Sequence, residues 1–134
     1  MRWIVLGVVG LACGGALWWF TKSEATDARL AAENGIAVPT FSDTAAQGGE
    51  LFAANCALCH GPHASGSENG PPLVHKIYEP SHHGDGSFYM AAANGVRAHH
   101  WRFGAMPKIE TVDEDDVTKI IAYVRELQRA NGIN

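Results

Sequence analysis

Residues 56–60 read Cys-Ala-Leu-Cys-His, and no other stretch of the 134-residue chain restricts its fold and chemistry as tightly. Two thiols three positions apart, followed at once by an imidazole, form the attachment signature of a c-type haem. The thiols can add to the two vinyl groups of one porphyrin, and the imidazole is then held against the iron from one side. A chain carrying this pentapeptide must fold around a large flat group. A disulfide or a thioredoxin-like pair would sit between a strand and a helix and gains nothing from the histidine. A zinc knuckle needs a second ligand pair, and the one remaining cysteine, Cys13, lies in a distant apolar stretch. Cys56 and Cys59 are therefore the expected haem thioethers, and His60 the expected axial iron ligand.

That apolar stretch, Trp3 to Phe20, contains no charged residue. As a helix its 18 residues would span roughly 27 Å, close to the thickness of a bilayer core. Trp3 stands at one end and Trp18, Trp19 and Phe20 at the other, where aromatic rings favour the headgroup level. Residues 1–22 are expected to form a membrane anchor with Arg2 on the cytoplasmic side. The rival is a secretory signal cut after Ala25, since Ser23 and Ala25 are small at the two positions that matter. Lipidation of Cys13 is disfavoured, because Gly10 stands where such a site wants Leu and the apolar run continues past the cysteine. Residues 23–41 read as a tether, with a helical tendency between Glu24 and Glu33, and residues 42–134 as the folded domain. From Ser23 onward the chain has 8 Lys+Arg against 14 Asp+Glu, a net charge of −6. Such a body argues against nucleic acid as a partner.

Over about residues 43–130 the chain resembles the class I cytochrome c family, and besides the pentapeptide four patches carry the resemblance. Gly48 and Phe52 precede Cys56 by eight and four residues, on one face of a helix. The stretch Asp113 to Leu127 has Asp113 as N-cap, acidic residues through its first turn, and Val117, Ile120, Ile121 and Val124 at helical spacing. The resemblance implies that the two helices cross near Gly48, where the absent side chain admits Tyr123 and the backbones approach closely. Gly70-Pro71-Pro72-Leu73 is similar to the family's Gly-Pro-x-Leu, whose proline carbonyl accepts a hydrogen bond from the axial histidine. Phe103-Gly104-Ala105-Met106-Pro107 is similar to the loop that delivers the sixth, sulfur ligand, which makes Met106 the expected second axial ligand. Met90 and a histidine are the competitors. Met90 falls in an expected helix from Ser87 to Gly95, where a methionine usually packs. With His60 and Met106 both on the iron, no position stays open for substrate, and the thioether raises the reduction potential.

Two His-His pairs, His82-His83 and His99-His100, exceed what a minimal domain of this kind needs. Haem propionates require donors, and Arg97, Trp101, Arg102 or a nearby histidine are the expected ones. A copper or other metal site made by the four histidines would require two loops to fold back on each other, and adjacent histidines project differently in loops. His63, in a Gly-Ser loop, is expected to be exposed to solvent. An acidic haem edge would steer the protein toward cationic partners.

The combined expectation is an all-α domain with a class I cytochrome c fold, three to five helices around one covalent haem c, behind an N-terminal transmembrane helix. Its expected role is one-electron transfer between redox partner proteins at a bacterial inner membrane, with the haem domain in the periplasm and no catalytic residues of its own. The alternatives are an electron-transfer subunit of a periplasmic dehydrogenase, and a haem or metal sensor using the histidine pairs.

Overall fold

The computed structural model describes residues 35–134, so the expected anchor, most of the tether and the Glu24–Glu33 stretch lie outside the described residues. Four α-helices and two short 3₁₀ turns make up the regular structure: α1 Asp43–Asn55, α2 Ala57–His60, α3 Asp85–Asn94 and α4 Glu114–Ala130, with 3₁₀ turns at Pro62–Ala64 and Lys76–Tyr78. Among the described residues there is no strand, only an isolated antiparallel bridge between Val96 and Met106. None of the described helices is long and apolar enough to cross a membrane.

The two longest helices, α1 and α4, each begin where a side chain accepts from a free backbone N–H. Ser42 caps α1 by accepting from the Ala45 N–H. At α4, Asp113 accepts from the Asp116 N–H while the Asp116 carboxylate accepts from the Asp113 N–H, a reciprocal capping box. Acidic residues Glu114, Asp115 and Asp116 in that first turn also face the positive end of the helix dipole. Helix α3 starts at Asp85, two residues earlier than its sequence suggested, and ends as expected at Gly95.

The core forms where α1 lies across α4. Ala45, Gly48 and Phe52 on α1 are buried against Ile120, Tyr123, Val124 and Leu127 on α4. The crossing depends on Gly48, where the backbones approach closely as expected, but Tyr123 is not what it admits. A Cβ there would overlap the Lys119 carbonyl group, so it is the α4 backbone that Gly48 admits. Tyr123 instead covers the neighbouring Gly49, whose added Cβ would meet its ring at 3.1 Å. The Tyr123 ring packs on Phe52 and Phe41, with centroids 5.4 and 4.9 Å away. Its hydroxyl is 2.9 Å from Nδ1 of His63, so His63 is half-buried and tied to the core rather than free in solvent. Ahead of α1, the segment from Gly35 is held to the end of α4 by paired hydrogen bonds between the Asn131 amide and the Ala37 backbone, both 2.8 Å.

The two long connections carry most of the site. Residues 61–84 are fastened to α4 by Arg125 and Gln128, both buried. Gln128 donates to the carbonyls of Leu73 and Tyr78, and Arg125 donates to those of Tyr78 and His83. Residues 95–112 turn back at Gly95, whose φ of +73° suits glycine. A Cβ at Gly95 would also come within 2.5 Å of the Met106 carbonyl oxygen.

Candidate functional site

Between the end of α1, the Cys-Ala-Leu-Cys-His turn, α3 and the 95–112 connection lies a largely apolar cavity of about 540 Å³. That volume falls in the range of small-molecule and cofactor sites. Cys56, Cys59, His60 and Met106 all line it. Cys56 is half-buried at the C-terminus of α1, while Cys59 is exposed one turn further on. Burial and the neighbouring Cys59 thiol push the Cys56 thiol up to about 11, so it is uncharged at neutral pH.

The His60 ring is positioned by its own turn and by the facing loop. Its Nδ1 lies 2.8 Å from the Pro71 carbonyl, which can only accept, so Nδ1 carries the proton and Nε2 keeps its lone pair. Burial pushes this imidazole below its ordinary value, opposed by the same hydrogen bond to Pro71. Leu73, buried beside it, forms part of the cavity wall.

Met106 comes from the opposite end of the sequence and is held by its backbone. Val96 and Met106 exchange two hydrogen bonds of 2.9 Å, closing the loop 97–105 at its base. This leaves the Met106 side chain half-buried on the wall. Met90 does not pack as a helix methionine was expected to: it is 63% exposed, and at the cavity mouth its sulfur lies 3.8 Å from the Asn94 amide nitrogen.

The loop 97–105 supplies polar groups. Arg97 and Trp101 line the cavity, whereas Arg102 is exposed and stands off its wall. The Trp101 indole Nε1 is buried and has no hydrogen-bond partner among the described residues. The Tyr78 phenol, which burial pushes above its ordinary value and the Trp101 indole pulls partly back, is near enough to feel that N–H but not placed to accept it. A buried donor without a partner costs free energy unless a bound group completes it. Among the described residues no carboxylate lines the cavity, and Arg97 is the one charged lining side chain apart from histidines.

Paired thiols, an imidazole with a free Nε2, a thioether, an apolar cavity and an unmet buried donor fit a covalently held haem with anionic propionates. A family model described as Cytochrome c matches residues 45–128. The chain belongs to the cytochrome c family. No curated protein and no solved structure matches it. As a class I c-type cytochrome it binds haem c covalently, one haem being the usual case, and its family role is that of a haem-based electron carrier.

Several residues that shape this cytochrome's site carried no sequence signal. Arg125 and Gln128 look like surface positions on a charged helix, yet they anchor the loop that bears Tyr78 and His83. Asn55, on the cavity wall, accepts from the Thr111 hydroxyl at 2.7 Å and so joins α1 to the approach to α4. The histidine pairs also depart from expectation. Their four rings do not diverge but converge, with His99 and His100 centroids 4.2 Å apart and His82 and His83 4.6 Å apart.

Proposed function

We propose that this cytochrome is a one-electron carrier whose haem is joined to Cys56 and Cys59 and whose iron is held by His60 and Met106. The observation that carries the reading is that His60, with Nε2 unprotonated, and Met106, held by its backbone bridge to Val96, line one cavity. When bound, the haem supplies a reversible ferric–ferrous couple, and a thioether paired with an imidazole favours the ferrous form. Pro71 orients His60 and increases its basicity. Arg97 and the Trp101 N–H are suited to hold the propionates, with Arg102 a more distant contributor. Leu73, Phe52 and Ile120 keep water from one face of the cavity. With His60 and Met106 both holding the iron, no position would remain for a substrate, so no catalytic residue is assigned.

The test is the ferric spectrum of the holoprotein beside Met106→Ala. Wild type is expected to show the weak near-infrared sulfur-to-iron charge-transfer band, and the variant to lose it entirely while keeping its covalent haem. A wild-type spectrum without the band would sink the assignment of Met106.

The uncharged, aromatic-flanked run Trp3–Phe20 supports a single-pass anchor in a bacterial inner membrane, with the haem domain in the periplasm beside its redox partners. Anchoring would raise the effective concentration at those partners without any new contact. The full-length chain is expected to sediment with membranes, to resist extraction by high salt and to be released by detergent. Recovery as a soluble product starting after Ala25 would show a cleaved signal instead.

A further inference from the structure

One group of metal-ligating side chains has no part in holding the haem iron. His82, His83 and His100 each bring a ring nitrogen within 4.8 Å of the other two, although they come from two connections far apart in sequence. His100 lies 5.4 Å from His82 and 5.2 Å from His83, centroid to centroid, and His99 closes the group at 6.0 Å from His83. Both loops are held in place independently of these rings. Arg125 Nη2 donates to the His83 carbonyl at 2.6 Å, and the Val96–Met106 bridge turns the loop 97–105 back on itself.

We propose that His82, His83 and His100 form a binding site for one divalent transition-metal ion of the copper–zinc type, joining the two loops beside the haem cavity. The donor set selects the ion class. Three imidazoles without a carboxylate suit Cu²⁺ or Zn²⁺ and are poor ligands for Mg²⁺ or Ca²⁺. A fourth position falls to water or to His99. His83 also has the outer contact that metal-binding histidines need. Its Nδ1 lies 2.6 Å from the Ile77 carbonyl, an acceptor only, so Nδ1 is the protonated nitrogen and Nε2 is left with a lone pair. Without an ion, four imidazoles packed together repel one another whenever they are protonated. A shared metal turns that arrangement into a favourable one and depends on neutral rings.

The location gives the site a consequence. His83, His99 and His100 line the haem cavity, while His82 is exposed and off its wall. Two added positive charges there favour the reduced, less positive haem and raise its midpoint potential. They also tie the loop that ends in Met106 to the loop held by Arg125.

The test uses untagged holoprotein stripped with a chelator and titrated with Cu²⁺, read by electron paramagnetic resonance, and with redox-inert Zn²⁺, read by the haem midpoint potential. The expected result is one equivalent of Cu²⁺ with nitrogen hyperfine structure, and an upward shift of the potential on adding one equivalent of Zn²⁺. His82→Asn, which leaves the cavity wall untouched, should keep the wild-type haem spectrum and lose the shift. It should also weaken binding by more than the roughly 10–100-fold that losing an outer partner costs a metal site. His100→Asn should weaken Cu²⁺ binding to the same extent. Binding as strong in His82→Asn as in wild type, or no stoichiometric binding at all, overturns the site. One-to-one Zn²⁺ binding with an unmoved potential overturns its placement beside the haem. The near-infrared band tests Met106 separately, so failure of one assignment is distinguishable from failure of the other.

Discussion

Gly48→Val is expected to yield almost no folded, haem-bound protein. A Cβ at this position would overlap the carbonyl group of Lys119, which belongs to the α4 backbone and cannot swing aside as a side chain could. Relief requires α1 and α4 to separate, and that opens the layer of Phe52, Val124 and Leu127, each at most 1% exposed. Overpacking ordinarily costs about 1–3 kcal/mol and more where backbone must move, a large share of the roughly 5–15 kcal/mol that holds a domain together. Neighbouring glycines give a graded series. Gly49→Ala meets the Tyr123 ring at 3.1 Å, a side chain that can shift, and should cost about 1–2 kcal/mol. Gly86→Ala, in α3 with nothing within 4 Å of an added Cβ, should be neutral or stabilise by about 0.5–1 kcal/mol. Denaturant midpoints of the three holoproteins check the order, and a Gly48 variant as stable as the Gly86 one would refute the backbone contact.

Arg125→Met should destabilise the protein by about 3 kcal/mol, although Arg125 touches no expected haem ligand. Its guanidinium is buried, donating to the Tyr78 and His83 carbonyls, to Gln128 Oε1 at 2.6 Å and to Asp85 Oδ1 at 2.8 Å, and it lies 5.0 Å from the centre of the Phe88 ring. Methionine can replace the packing but none of the donors, so buried oxygens lose their partners. The ion pair itself contributes less, because the Asp85 side chain is 61% exposed and water can solvate it. Asp85→Asn should therefore cost about 1 kcal/mol or less. Urea unfolding separates the two, and amide exchange should quicken through residues 76–84 in Arg125→Met alone. Equal losses in both variants would mean that the ion pair, not the carbonyl contacts, holds the loop.

Much of the fold was legible because it rests on local rules. The α4 cap at Asp113, its apolar spacing and the end of α3 at Gly95 depend on neighbours within a turn, and a sequence displays those directly. The helix crossing was legible only to the level of a region. Gly48 and Tyr123 both belong to it, yet which glycine faces backbone and which faces the ring depends on the rotation of each helix about its axis. His63 is half-buried although Gly and Ser around it suggest a solvated loop. Its hydrogen bond reaches Tyr123, 60 residues away, and leaves no local trace. Arg125 and Gln128 were invisible for the same reason, since long polar side chains on a helix normally stay in water.

The cofactor chemistry and the helical class follow from short-range sequence, because the spacing Cys56, Cys59, His60 is a local requirement of one covalent group and helix periodicity is a local property of the chain. Which distant side chains share the cavity and the histidine cluster is set by the folded arrangement. It gathered Met106, Trp101 and four histidines from two connections whose paths follow from long-range contacts, those of Arg125 and Gln128 with carbonyls and of Val96 with Met106. Such contacts are set by how helices and loops close on one another in space, which the spacing of residues along a chain does not encode.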